Sequence, residues 1–259
     1  MRETVIRFFA RPNTDPIKSI GMAMIIAASS ALVVGGAAVS LRPLIEANRL
    51  EARAGQMAAL LEGVPGIADL LADGGIETLL VDLTTGRISA TDPVDFDPAA
   101  AATDPERSTA LSPAIDLAAI TRRENEAMVW LVRDQGQIRL LVLPVRGAGY
   151  QSTIYAYLAL EGDLNTVAAF TVYEQGETPG LGSRVAETDY LRGWTGRQIA
   201  EEGMIMIDTV SGASGVYEVE MISGASVTSY GAIDMVHFWL GPDGFGPFID
   251  KLRNGGAGL

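Results

Sequence analysis

The chain has 259 residues, 48% of them hydrophobic and 20% charged, which is enough apolar material for one or two packed domains and too much for a disordered chain. A formal net charge of −13 with scattered basic residues would repel a phosphate backbone and argues against nucleic-acid binding. The lack of cysteine and the single histidine, His237, exclude disulfides, thiolate catalysis, cysteine-ligated metals and any site needing two imidazoles.

Residues 1–18 form a short basic tail. Between Lys18 and Arg42 lies SIGMAMIIAASSALVVGGAAVSL, 23 uncharged residues. At ~1.5 Å per residue it reaches ~34 Å, enough to cross a bilayer core of ~30 Å, so residues 19–41 are expected to span the lipid bilayer as a helix. A signal peptide is the competing reading, because Gly36, Ala37 and Ala38 would suit a cleaving peptidase. Against it, the stretch is long for an apolar signal region of ~7–15 residues. Arg2, Arg7, Arg11 and Lys18 precede the span, whereas Arg42, Arg49 and Arg53 follow it interleaved with Glu46 and Glu51. That bias points the N-terminus toward the cytoplasm and places residues 42–259 outside it, in the periplasm of a bacterium. The span is rich in Ala, Gly and Ser, which let helices approach closely in lipid; this fits a neighbouring membrane protein or is simply composition.

Over residues 42–64, Leu44, Ala47, Leu50, Ala54, Met57, Leu60 and Leu61 recur at three- and four-residue steps, predicting an amphipathic stalk that continues the anchor. TLLVDLTTGRISA alternates around Thr84-Thr85-Gly86, a hairpin signal, and DPVDFDPAAAATDPE then reads as a surface loop. A second hairpin is MVWLVRDQGQIRLLVLPVRG, turning at Asp134-Gln135-Gly136. Strands follow at TIYAYLAL and TVAAFTVYEQ, and helical segments at ETDYLRGWTGRQIAEE and the C-terminus. Strands and helices mix without regular alternation, so residues 65–259 are expected to form one α+β domain.

Near the C-terminus, SGASVTSYG (residues 223–231) places hydroxyls between an alternating strand pattern, VYEVEMI, and a helix. The helix is marked by the apolar stripe Ala232, Met235, Val236, Trp239 and Leu240. One reading makes Ser226, Thr228 or Ser229 a helix cap worth about 1 kcal/mol. A serine nucleophile is poorly supported, since His237 lies well inside the same helix and Lys251 is the only lysine outside the membrane flank. A third reading is a phosphate site: unpaired N–H groups of a first helical turn hold an anion without any lysine, and a hydroxyl there can carry a phosphoester.

SGASVT is similar to the signature of the FMN-binding domain family, in which FMN is esterified through its phosphate to the residue after Ala, here Ser226. ETPGLG (residues 177–182) resembles that family's second signature. HFWLGPDGFGPFIDKLRNG, LRPLIEAN after the anchor and GAGYQSTIYAYLAL resemble the C-subunit family of sodium-translocating NADH:quinone oxidoreductases. The resemblance implies a single-pass inner-membrane protein that carries one covalent FMN and relays electrons between other membrane subunits of the complex. It is an electron carrier within that NADH:quinone reductase rather than the NADH-oxidising site, with no catalytic or metal-binding residue of its own. A periplasmic flavin transferase with FAD as donor is implied as a further partner.

The cofactor-binding set implied is Ser226 with Ser223, Gly224, Ala225 and Thr228, together with Glu177, Thr178, Leu181, Gly182 and Tyr150. In the ETPGLG turn, Pro179 fixes φ and Gly180 and Gly182 allow a tight bend that exposes backbone groups. Leu181 could cover the face of a flat ring, and Glu177 or Thr178 could bond its edge or the ribityl chain. The chain departs from the family pattern at Ser226, where threonine is usual, at Glu220, where aspartate is usual, and at Gln151, where tryptophan is common. Tyr155, Tyr157, His237, Phe238 and Trp239 read as packing residues. The G-subunit of the related Rnf electron-transport complex is the near alternative, and an anchored periplasmic binding or scaffold protein without redox cofactor is the alternative of a different class.

Overall fold

A computed structural model describes residues 8–64 and 75–255; Arg2 and Arg7 of the charge argument and the expected domain start at residue 65 lie outside these. Helix α1, Pro16–Glu62, is continuous over 47 residues. Asp15 starts it by accepting hydrogen bonds from the N–H groups of Ile17 at 2.8 Å and Lys18 at 3.4 Å, which satisfies donors that a first turn leaves open. The stretch Pro16–Arg42 is long and apolar enough to cross a membrane, with Leu32, Val33 and Val39 exposed, as suits a helix whose solvent is lipid.

The chain forms two compact units, Met1–Ala54 and Gly55–Leu259. The expected stalk is therefore shared between them: its last turns carry Leu60 and Leu61, both buried in the second unit.

The second unit begins with β1 (Ile76–Asp82), β2 (Arg87–Ile88) and the short helix α2 (Pro98–Thr103). The strands β3 (Ser108–Ala110), β4 (Arg122–Glu124), β5 (Glu126–Asp134), β6 (Gln137–Ala148), β7 (Thr153–Glu161) and β8 (Val167–Glu174) follow. After them come α3 (Thr188–Arg192), β9 (Ala200–Glu201), β10 (Met204–Ile205), β11 (Asp208–Val210), β12 (Glu218–Glu220), α4 (Ser226–Leu240) and α5 (Gly246–Arg253). Six strands build one sheet in the order β2-β1-β5-β6-β7-β8, every neighbour antiparallel. The architecture is thus α+β, with helices packed on an antiparallel sheet.

Both expected hairpins are present. Gly86 at φ 62° closes β1 onto β2, and Gln135 at 48° with Gly136 at 83° closes β5 onto β6. Two consecutive positive φ values give the turn whose twist matches paired strands. On one face of the sheet Val129, Leu131, Leu141, Leu143, Ile154 and Leu158 meet Ala232, Met235, Val236 and Trp239 of α4. On the other, Leu140, Val142, Tyr157 and Ala159 pack with Leu60 and Leu61, while Leu80 and Met128 pack under Phe96 and Ala101.

Three local expectations need correction. The stretch 92–106 is not all loop. Asp97 accepts from the N–H groups of Ala99 and Ala100 and starts α2 at Pro98, because an Asp-Pro pair supplies a cap and a first helical residue with no N–H to waste. Helix in 187–202 is confined to Thr188–Arg192; Gly193 follows, Gly196 takes φ 78°, and the chain leaves as β9. The VYEVEMI alternation yields only Glu218–Glu220, paired in parallel with β11.

Candidate functional site

Helix α4 starts at Ser226, preceded by Ala225 at φ −137° and ψ 48°, and no side chain caps it. The capping role expected of a hydroxyl is therefore absent. Ser229 donates to the Ala225 carbonyl at 3.1 Å and accepts from the Ile222 N–H at 2.9 Å, tying the turn to the helix. Thr228 donates to Glu177 at 2.7 Å. Both hydroxyls are buried, whereas Ser223 and Ser226 are exposed. Gly224 holds φ 80°, a left-handed conformation that favours glycine. The N–H groups of Ser226, Val227 and Thr228 find no acceptor among the described residues. Unpaired donors at the positive end of a 15-residue helix make a ready anion site, and the exposed Ser226 hydroxyl stands on it.

Glu177 organises the surroundings. Its Oε1 accepts from the N–H groups of Gln151 and Ser152, both at 2.9 Å, and from the Ser152 hydroxyl at 3.1 Å. Its Oε2 accepts from the Tyr150 N–H at 3.1 Å and from Thr228. One carboxylate thus joins the loop before β7, the ETPGLG turn and the first turn of α4. Burial pushes its pKa up, but the bonds from Thr228, Gln151, Ser152 and Tyr150 together outweigh burial and hold it below the usual carboxylate value. With both oxygens of Glu177 engaged by groups of the protein, it and Thr228 brace the site. Two glycines make room for it: a Cβ at Gly149 would lie 2.6 Å from Oε1, and one at Gly182 2.5 Å from Oε2 and 2.8 Å from the Thr228 hydroxyl.

The ETPGLG turn is pinned by Leu181 N–H to the Thr178 carbonyl at 3.1 Å and Ser183 N–H to the same oxygen at 3.2 Å, with Gly180 at φ 74°. Thr178 is half-buried. Leu181 is 48% exposed and adjoins the hydroxyl turn, since a methyl at Gly224 would sit 3.4 Å from its Cδ2. Val227 and Tyr150 are also exposed, at 54% and 67%. Apolar side chains left in solvent thus flank the free N–H groups.

Sequence reasoning missed Ser152, whose hydroxyl also accepts from the Gly176 N–H at 2.8 Å; the signal was its place two residues after Tyr150 in GAGYQS. Glu220 accepts from Gly212 and Ala213 at 3.0 and 2.8 Å, closing a surface loop. His237 Nε2 lies 2.7 Å from the Ile207 carbonyl, Lys251 donates to the Thr85 carbonyl, and Trp239 donates to the Arg146 carbonyl at 2.7 Å. Tyr155 and Tyr157 pack tilted against Tyr173, with ring centres 6.0 and 4.5 Å away.

Residues 149–241, which contain Tyr150, Glu177–Gly182 and Ser223–Ser229, match the family model described as the FMN-binding domain. The chain is 40% identical over 253 residues to the Na(+)-translocating NADH-quinone reductase C-subunit of Pseudomonas aeruginosa, covering 93% of this chain and 97% of the relative. Identity to the Vibrio alginolyticus C-subunit is 38% over 251 residues, covering 94% and 98%. The solved structure of Shewanella oneidensis NqrC aligns with a TM-score of 0.67 at 35% identity, covering 73% of this chain and 88% of that one. The Parabacteroides distasonis C-subunit aligns at 0.51 and 25% identity, covering 67% and 77%. With relatives this similar along nearly its whole length, the chain belongs to the C-subunit family of the Na(+)-translocating NADH-quinone reductase.

Proposed function

We propose that this chain is the electron-relaying, FMN-carrying component of a sodium-translocating NADH:quinone oxidoreductase, with its FMN joined as a phosphoester to Ser226. The observation that carries the reading is the exposed Ser226 hydroxyl on a helical first turn whose N–H groups find no acceptor among the described residues. Those donors would meet the phosphate oxygens, and the helix dipole favours their charge. FMN held there would supply a redox centre able to accept and pass on electrons. Leu181, Val227 and Tyr150 offer apolar surface to its ring. Thr178 and Gly182 offer backbone, and the Glu177–Thr228 bond fixes the distance between turn and helix.

Attachment is a group transfer. The Ser226 Oγ forms a bond to the FMN phosphorus of FAD, the pyrophosphate P–O bond breaks, AMP leaves, and the hydroxyl proton is released. A periplasmic flavin transferase would catalyse it, which agrees with a cytoplasmic N-terminus, a single membrane span over residues 19–41 and an exported domain that meets the other membrane subunits.

The test uses protein from its native membrane. After denaturation and electrophoresis the band should fluoresce as flavin, and its mass should exceed that of the chain by one FMN residue. Ser226→Ala should abolish both signals while Ser223→Ala retains them. A dark band of unmodified mass from cells that contain the transferase would refute the proposal and favour an anchored scaffold.

A further inference from the structure

The ribbon that precedes the hydroxyl turn carries a surface that the FMN site does not use. In the parallel pair of β11 and β12, Asp208 lies beside Glu218 and Val210 beside Glu220. Just before these strands the Met206 N–H donates to the Ile199 carbonyl at 2.8 Å and the Gln198 N–H to the Val216 carbonyl at 2.8 Å, so Met206 and Val216 flank the 198–199 segment, 42% and 54% exposed. The intervening Thr209 and Val219 point inward and are buried. Met204, on β10, is 64% exposed and lies across from Glu201.

An apolar centre of Met204, Met206 and Val216 is thus bordered by Glu201, Glu202 and Asp208. Between residues 197 and 222 there are five acids and one basic residue, Arg197, and that guanidinium donates to the carbonyls of Gly193 and Gly215. Methionine side chains are flexible and polarisable and adapt to a partner's contour, and grouped apolar side chains with a polar rim are the usual form of an interaction surface. The sign of the rim selects the occupant. A second copy in two-fold contact would bring acid against acid, and an anionic lipid surface would be repelled.

We propose that this patch docks a protein partner whose contact surface has an apolar centre rimmed by lysine or arginine. The inference stands apart from the flavin at Ser226. To test it, a photo-activatable cross-linking residue replaces Met206 in the full chain in its native membrane, with Val94, 88% exposed, as the control position. Irradiation should link Met206, but not Val94, to one other protein, through a peptide that carries lysine or arginine. The yield should fall severalfold when ionic strength rises from about 0.05 to 0.5 M, since exposed charges are then screened. The pair Glu201→Lys and Glu202→Lys should lower the yield similarly while gel flavin fluorescence is kept. Links to a second copy, to lipid or to nothing would overturn the proposal, as would a yield unmoved by salt. Loss of fluorescence with cross-linking intact would count against the flavin assignment instead.

Discussion

Replacing Glu177 tests whether a single carboxylate holds the site together. It accepts five hydrogen bonds, from Tyr150, Gln151, Ser152 twice, and Thr228. Bonds to a charged group contribute about 1.5–3 kcal/mol each, but Gln151 is exposed and Tyr150 is 67% exposed, so water replaces the acceptor for much of that loop. Thr228, 1% exposed, has no such substitute. Glu177→Ala should therefore cost about 3 kcal/mol. Glu177→Gln, which keeps the shape but turns a donor toward one N–H, should cost about 1.5 kcal/mol. For a domain of this size 1 kcal/mol moves Tm by roughly 2–4 °C, so tryptophan fluorescence on heating the solubilised chain should show a fall of about 6–12 °C for alanine.

The pH dependence fixes the sign. A carboxyl whose folded pKa is depressed contributes stability that is complete above its unfolded value of about 4.3 and is lost as pH falls through the folded value. The gap between parent and Glu177→Gln should thus be constant near neutrality and close below about pH 4. An alanine variant that melts with the parent, or a gap that widens toward acid, would refute the frame assigned to Glu177.

Gly182→Ala should destabilise by about 2–3 kcal/mol, because its Cβ would be forced against Glu177 and Thr228 in a packed site. Gly180→Ala, which meets open space but keeps φ 74°, should cost only about 1 kcal/mol. Urea midpoints in the reverse order would contradict this account of the turn. Trp239→Phe deletes the donor to the Arg146 carbonyl and should cost about 1–3 kcal/mol by the same assay; an unchanged midpoint would mean that the bond adds nothing net.

Features set by neighbouring residues were legible. The long apolar N-terminal helix needs only length and apolarity, the β5–β6 hairpin only Gln135 and Gly136 between Val- and Leu-rich runs, and α4 only its stripe of Ala232, Met235, Val236 and Trp239. Helix α2 was hidden because its six residues are too few to show periodicity, so its formation rests on the Asp97 cap. The β11–β12 ribbon was hidden for a different reason: three-residue strands carry too little alternation to register, and a parallel pairing is dictated by what both strands bury, Thr209 and Val219.

The site divides along the same line. The sequence puts hydroxyls at a strand-to-helix turn but cannot rank them, because rank depends on which side chains another segment engages. Glu177 takes the Thr228 hydroxyl from 51 residues away, and Ser229 folds back onto Ala225 and Ile222. Of the serines and threonines there, only Ser223 and Ser226 are exposed, and of these Ser226 alone stands on the helix. Glu177 thus engages one of the hydroxyls and ties the ETPGLG turn to α4. Loss of Glu177 should consequently loosen the site and lower flavin content without moving the proposed attachment point, whereas loss of Ser226 should remove the proposed attachment point and leave the fold's stability nearly unchanged.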